Sequence, residues 1–201
     1  ELLGTYYYNK YGLDFRSLRY PGVISADPPG RGTTDCIIGI WDFINLKSKA
    51  LHAAAARKHY ECFLTEHTAL PMMHIDDLVE GTEYSTNEHL YNRLNYQADN
   101  SVLTDRVYNL GAFSVTPKET EIAIKKLVYH KFSNLIDCPE FAPSYVPDFR
   151  QKIADGWPSS INYVAAVRDW KFNPKYKKID DIVDYMLKEI EEGKQYLNHQ
   201  H

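Results

Sequence analysis

Apolar positions along this 201-residue chain recur with two spacings, one alternate and one close to a helical turn, and the spacing switches several times. Glu1-Leu2-Leu3-Gly4-Thr5-Tyr6-Tyr7-Tyr8 carries no initiator Met, no N-cap and no staple, so it reads as a helix already under way. That helix is expected to end near Tyr11-Gly12, where glycine can take a left-handed C-terminal position. Asp14 to Tyr20 alternates apolar and polar side chains as a strand does, until Pro21-Gly22 removes a donor and permits a turn. Thr33, Thr34 and Asp35 then offer N-cap chemistry to a helix with Ile37, Trp41, Ile44 and Leu51 on one face. Gly39 and the polar residues 45–49 could break that helix in two.

Farther on, Tyr60 to Leu64 and Pro71 to Ile75 read as extended segments, and Asp76-Asp77 as the cap of a helix reaching about Thr86. Residues 84–106 are polar and Asn-rich without clear period, which predicts a surface excursion. Val107 to Leu110 is a predicted strand. Thr116-Pro117-Lys118-Glu119 combines an N-cap, a proline at the first helical position and a capping-box glutamate. Its helix should show Ile122, Ile124 and Leu127 to the core and give way to a loop over residues 129–139. A short strand at Ser144 to Val146 follows, then a helix capped by Asn162 and ending near Asp169-Trp170. The last helix begins at Ile179-Asp180-Asp181, with Ile182, Tyr185, Met186 and Ile190 inward. Strands alternating with helices predict an α/β protein with helices packed on a sheet.

Composition narrows the partners. With 44% hydrophobic and 25% charged residues the chain suits an ordinary packed domain. A formal net charge of -4 provides no basic field for nucleic acid or an anionic membrane, and no stretch approaches the roughly 20 apolar residues that span a bilayer. Small molecules are the expected ligands. Cys36, Cys62 and Cys138 are an odd number at wide spacing, which reads as buried thiols in a reducing compartment, and no zinc-ligand spacing is present. His199 and His201 read as part of a frayed tail. Asp76-Asp77 could pass for a paired-carboxylate site; the helix cap is the simpler account.

Several stretches, in order, resemble the L-threonine dehydrogenases of the extended short-chain dehydrogenase group, relatives of the sugar-nucleotide epimerases. They are Tyr11-Gly12-Leu13-Asp14-Phe15-Arg16, Tyr20-Pro21-Gly22, Gly32-Thr33-Thr34-Asp35 and Leu70-Pro71-Met72-Met73-His74-Ile75-Asp76-Asp77. Tyr108-Asn109-Leu110, Ser114-Val115-Thr116-Pro117, Asp148 through Trp157-Pro158, Arg168-Asp169-Trp170 and Pro174 complete the series. The resemblance covers nearly the whole chain as the C-terminal part of such an enzyme, with residues 41–49, 84–106 and 129–139 left over as insertions. It implies the C-terminal part of a Rossmann-type fold with a small substrate-binding α/β subdomain. Residues 1–40 would continue the nucleotide-binding domain, to which later strands return, and residues 41–201 would form mainly the substrate-binding part.

In that family a tyrosinate removes the hydroxyl proton while hydride passes to the nicotinamide of NAD, and a lysine four residues on lowers the tyrosine pKa. Tyr6 and Lys10 have this spacing and share a helix face. The family register nevertheless places the catalytic pair and the glycine loop upstream of Glu1, so no catalytic residue is expected among these 201. The resemblance gives cofactor contacts to Tyr20, Pro21 and Val23, beside the alternative of a purely structural turn. It gives substrate contacts to Thr33 and Thr34, which would otherwise only cap a helix, and to Trp157, which would otherwise only pack a loop. Arg31 stands where the family has glycine, which puts the loop's approach to a ligand in question.

The implied function is NAD-dependent oxidation of L-threonine to 2-amino-3-oxobutanoate, in a mitochondrial homodimer without metal, nucleic-acid partner or membrane insertion. Two readings stand beside it: a truncated, non-catalytic relative serving as a structural or interaction subunit, and a sugar-nucleotide epimerase or reductase.

Overall fold

The computed structural model describes residues 1–25, 36–37, 60–86, 103–132 and 143–191. Helix α1 (Leu2–Tyr11) ends as the sequence predicts, on Gly12 at φ 68°. Strand β1 (Ser17–Arg19) is shorter than the alternation suggests, since its pairing with a neighbouring strand begins only at Ser17, opposite Val107. Strand β2 (Gly22–Ile24) resumes directly after Tyr20-Pro21, where the sequence indicated only a turn. Next come β3 (Glu61–Cys62), β4 (Leu70–His74) and α2 (Ile75–Thr86), close to expectation. Strand β5 (Val107–Asn109) was legible; β6 (Phe113–Val115) was not. The remainder is α3 (Pro117–Phe132), β7 (Ser144–Tyr145), α4 (Phe149–Asp155), α5 (Val164–Trp170) and α6 (Ile179–Glu191).

Three small sheets result. β1 pairs with β5 in parallel, with Leu18 opposite Tyr108 and Arg19 opposite Asn109; β3 pairs with β7 in parallel; β2, β4 and β6 form the third, in that order. Every residue of β4 is buried, so the Pro71-Met72-Met73-His74 stretch is a core strand, its methionines filling space. The chain divides into two units, one of Glu1–Val23, Pro71–Phe113 and Ser160–Lys177, the other of Ile24–Leu70, Ser114–Ser159 and Lys178–His201.

The first unit is built around Met73, Leu103, Tyr108, Leu110, Ala166, Trp170 and Phe172. Tyr108 stacks obliquely on Trp170, ring centroids 4.4 Å apart. The Tyr108 hydroxyl donates to Asp169 at 2.6 Å, and the same carboxylate accepts from the Thr104 amide at 2.9 Å, the Thr104 hydroxyl at 2.8 Å and Arg168 Nε at 2.6 Å. Helix α2 lies so close to this core that a Cβ on Gly81 would sit 2.8 Å from Phe172 Cε2 and 3.0 Å from Leu110 Cδ1. Phe172 is buried and cannot swing away, so Gly81→Ala should destabilise the protein by about 1–3 kcal/mol despite alanine's better helix propensity. A denaturation midpoint equal to or above that of the parent protein would contradict this packing.

In the second unit α3 packs against α6, burying Ile124 on one helix and Ile182 and Val183 on the other. The capping box forms as predicted: Glu119 N donates to Thr116 Oγ1 at 3.1 Å and Thr116 N to the Glu119 carboxylate at 2.8 Å. Ile122 is 55% exposed, correcting the apolar face drawn from sequence. Residues two apart point to nearly opposite sides of a helix, so Ile122 and Ile124 cannot both face inward. Thr120 and Glu121 take the inward positions instead. Glu121 survives burial because Lys118 at 2.9 Å, Lys125 at 2.8 Å and the Tyr145 hydroxyl at 2.5 Å all donate to it. Helix α3 also runs to Phe132, into the predicted 129–139 loop.

Cys36 and Cys62, read from sequence as thiols, are joined in a disulfide. Their Cα atoms stand 5.5 Å apart, within the range that one bridge spans, and both are fully buried. The Tyr60 hydroxyl donates to the Cys36 carbonyl at 3.0 Å beside it. Of the helix expected from Thr33 onward, Cys36 and Ile37 are helical and Trp41, Ile44 and Leu51 lie outside the described residues. Cys138, His199 and His201, most of the polar excursion, and the side chains of Leu127, Met186 and Ile190 lie outside them too. Among the described residues no helix is long and apolar enough to cross a membrane, and no cluster of three His, Cys, Asp or Glu side chains could hold a metal.

Candidate functional site

In open α/β sheets, ligands lie beyond the carboxyl ends of parallel strands. β1 and β5 end side by side: Ser17 N donates to the Arg106 carbonyl and Leu110 N to the Arg19 carbonyl, each at 2.9 Å. Leu18 turns inward against the core, which leaves the chain leaving β1 at Tyr20-Pro21 on the rim. Pro21 and Val23 are half-buried and Tyr20 is exposed. From the β5 side Asn109 Nδ2 donates to the Asn162 carbonyl at 3.2 Å, and the Asn162 side chain accepts from Val164 N at 2.9 Å, opening α5. The N-cap of α5 is Tyr163 rather than the Asn162 expected from sequence; Asn162 stands one residue ahead and bonds the first helical amide. Gly111 allows this approach, since a Cβ there would meet the Tyr163 ring at 3.1 Å.

Beyond the ends of β1 and β5 stand an apolar stretch, Tyr20, Pro21 and Val23, and two amide side chains, Asn109 and Asn162, while neighbouring Arg19 is taken up by the Glu1 carboxylate. Such a lining suits a flat neutral ring bearing a carboxamide, as at the nicotinamide end of NAD; it offers nothing for the pyrophosphate, and the sequence contains no Gly-x-Gly-x-x-Gly loop.

Trp157, in the second unit, follows α4. Asp148 caps that helix by accepting from Arg150 N at 2.8 Å, and Trp157 N donates to the Ala154 carbonyl at 3.0 Å after the helix ends. The Arg150 guanidinium lies 3.2 Å over the Phe63 ring, and Gln151 bonds both Thr65 and Thr68, so α4 is anchored on one side. Trp157 itself is 41% exposed, a large aromatic surface left in water. Thr33 and Thr34 lie outside the described residues.

Tyr6 and Lys10 sit one helical turn apart on exposed α1, with Lys10 Nζ donating to Tyr6 Oη at 2.7 Å. That bond, followed by one to Tyr11, raises the Lys10 pKa. Asp76 and Asp77 fall in the first turn of α2, but Asp77 does not cap that helix. Its carboxylate accepts from the Lys175 and Tyr176 amides at 2.7 and 3.1 Å, tying α2 to the segment after α5. Burial raises the Asp77 pKa, these amides opposing it; burial lowers that of His74 next to it, Asp76 and Asp77 opposing. Sequence missed this tie because its members stand 98 and 99 residues apart.

No family model matches the chain. Bovine mitochondrial L-threonine 3-dehydrogenase is 38% identical over 189 residues, covering 93% of this chain and 42% of the relative. The crystal structure of L-threonine dehydrogenase from Phytophthora infestans superposes with a TM-score of 0.73 at 39% identity, over 96% of this chain and 53% of that one. An uncharacterized epimerase/dehydratase of Staphylococcus haemolyticus is 33% identical over 97% of this chain and 52% of its own length.

The fold is therefore mixed α/β and Rossmann-like, that of the extended short-chain dehydrogenases. Within that group the chain is a relative of the L-threonine 3-dehydrogenases, and it spans about half the length of the relatives it matches.

Proposed function

We propose that the chain takes part in NAD-dependent oxidation of the L-threonine side-chain hydroxyl, giving 2-amino-3-oxobutanoate. What carries the proposal is the rim at the carboxyl end of the β1 and β5 pair, in a chain related to threonine dehydrogenases. On this reading residues 1–40 continue a nucleotide-binding domain to which later strands return, and residues 41–201 are mainly substrate-binding. NAD, when bound, supplies the hydride acceptor. Tyr20, Pro21 and Val23 give it an apolar seat, with Asn109 and Asn162 at the border. Thr33 and Thr34 hold the amino and carboxylate groups of threonine, and Trp157 closes over the substrate and excludes water. A homodimer in the mitochondrion belongs to the same proposal.

The test is NAD-dependent threonine oxidation by the native protein, with its intact mass taken from the same sample. Turnover would support the proposal. A folded protein without turnover would favour a non-catalytic structural subunit, and turnover of a nucleotide sugar instead would favour an epimerase or reductase.

Trp157→Ala is expected to raise the threonine KM roughly tenfold or more while leaving the NAD KM alone, and Trp157→Phe to keep most of the affinity. Equal effects on both KM values would remove Trp157 from the substrate site.

A further inference from the structure

We propose that Thr82 is a positioning residue: acting through the Tyr20 phenol, it fixes the Tyr20 side chain at the turn on which the nicotinamide rests, an inference that builds on the function proposed above. Thr82 lies on α2, 62 residues from Tyr20 in sequence, and its Oγ1 stands 2.9 Å from the Tyr20 hydroxyl oxygen. The direction of that bond follows from the rest of the helix. Thr82 Oγ1 donates its one proton to the Leu78 carbonyl at 2.7 Å, so toward Tyr20 it can only accept, and the phenol donates. A threonine that bonds back to its own helix normally gives nothing to the fold beyond a slight bend. Here the same hydroxyl oxygen also accepts from the phenol of the rim tyrosine.

The backbone on either side of the turn is held by β1 and by β2, so what Thr82 can fix is the Tyr20 side chain. Arg19, at the end of β1, is tied to Leu110 through its carbonyl, but Pro21 has no N–H to contribute and Tyr20 is exposed. The anchor on the other side is firm. Gly81, the residue before Thr82, seats α2 against buried Phe172 and Leu110, where not even a methyl group fits. Thr82 therefore transmits the position of a packed helix to the Tyr20 ring between the two strands, without touching the cofactor itself. Preorganisation of this kind shows in binding and rate, since small misplacements of a reacting ring are costly.

The experiment uses the native full-length protein with Thr82→Val, Thr82→Ser, Tyr20→Phe and the Val/Phe double variant. Losing one net hydrogen bond predicts a kcat/KM for NAD lower by roughly two- to tenfold in Thr82→Val and in Tyr20→Phe. The threonine KM should stay unchanged, Thr82→Ser should restore activity, and the double variant should be no worse than either single one. Hydrogen exchange at the Gly22 and Val23 amides gives a second readout that needs no turnover: faster in Thr82→Val, normal in Thr82→Ser. Equal kinetics and exchange in all variants would overturn the inference, as would additive losses or a serine variant as impaired as valine. If the parent protein turns over no threonine, the proposed function fails, and the exchange pattern alone then decides whether Thr82 fixes the Tyr20 side chain.

Discussion

Replacing Asp169 by alanine is expected to lower the unfolding free energy by about 3 kcal/mol, a large share of what a domain of this size has to lose. The Asp169 side chain is only 1% exposed, and it gathers donors from three places: Thr104, Tyr108 on β5 and neighbouring Arg168. Taking it away leaves the buried Tyr108 hydroxyl without an acceptor for its proton and frees the exposed Thr104 segment that the carboxylate holds. Asp169→Asn keeps the shape but loses the charge, and should cost about half as much. Denaturant titrations of the three proteins measure this directly; a loss below about 1 kcal/mol for the alanine variant would make the network dispensable.

The same network sets two pH limits. Burial pushes the Asp169 carboxyl up, but bonds from Arg168, Tyr108 and Thr104 outweigh it and hold it well below the usual carboxylate range. A folded-state pKa below the unfolded one means stability that is present above about pH 4 and lost as pH falls through the folded value. Tyr108 works in the opposite sense. Burial, then its bond to Asp169, pushes its hydroxyl up to about 12. Its contribution is therefore complete below the ordinary tyrosine value near 10 and disappears as pH rises toward 12. Melting temperatures across pH should fall at both ends, with Asp169→Ala flattening the acid limb and Tyr108→Phe the alkaline one.

Breaking the Cys36–Cys62 bond is the second large effect. It closes a loop of 26-residue separation, and the chain-entropy account assigns such a closure about 3.5 kcal/mol. Cys36→Ser, or reduction of the parent protein under denaturing conditions before refolding, should lower stability by that order. Alkylation of the unreduced, unfolded protein should leave these two sulfurs unlabelled. If both take up label, the sulfurs are thiols and the expected loss disappears. Complete burial of both residues also keeps dissolved thiols from reaching the bridge in the folded state, so a reducing surrounding would not open it quickly.

Local chemistry was the readable part. Gly12 and the Thr116 to Glu119 box each complete their geometry within a few residues, so residue types alone announce them. The strand at Val107 to Asn109 was legible, whereas the one of equal length at Phe113 to Val115, with a polar serine at its centre, was not. Long-range partnerships left no trace. Nothing in the spacing of three cysteines selects Cys36 and Cys62, and nothing in Thr82 announces Tyr20. Of the proposed contact residues, Tyr20, Pro21, Val23 and Trp157 came from family resemblance, whereas Asn109 and Asn162 became candidates only when the ends of β1 and β5 proved adjacent.

The order in which the chain is threaded through its units bears on how it is made. The first unit draws on three separate stretches, the last of them Ser160–Lys177, which brings Asp169, Trp170 and Phe172. A ribosome delivers Tyr108 and Leu110 long before the residues that cover them. Until about residue 177 emerges, that apolar surface stands open to other nascent chains, and assembly must wait for contacts distant in sequence. That the first unit can close only after its last stretch is made is thus a consequence of the connectivity rather than of any one residue.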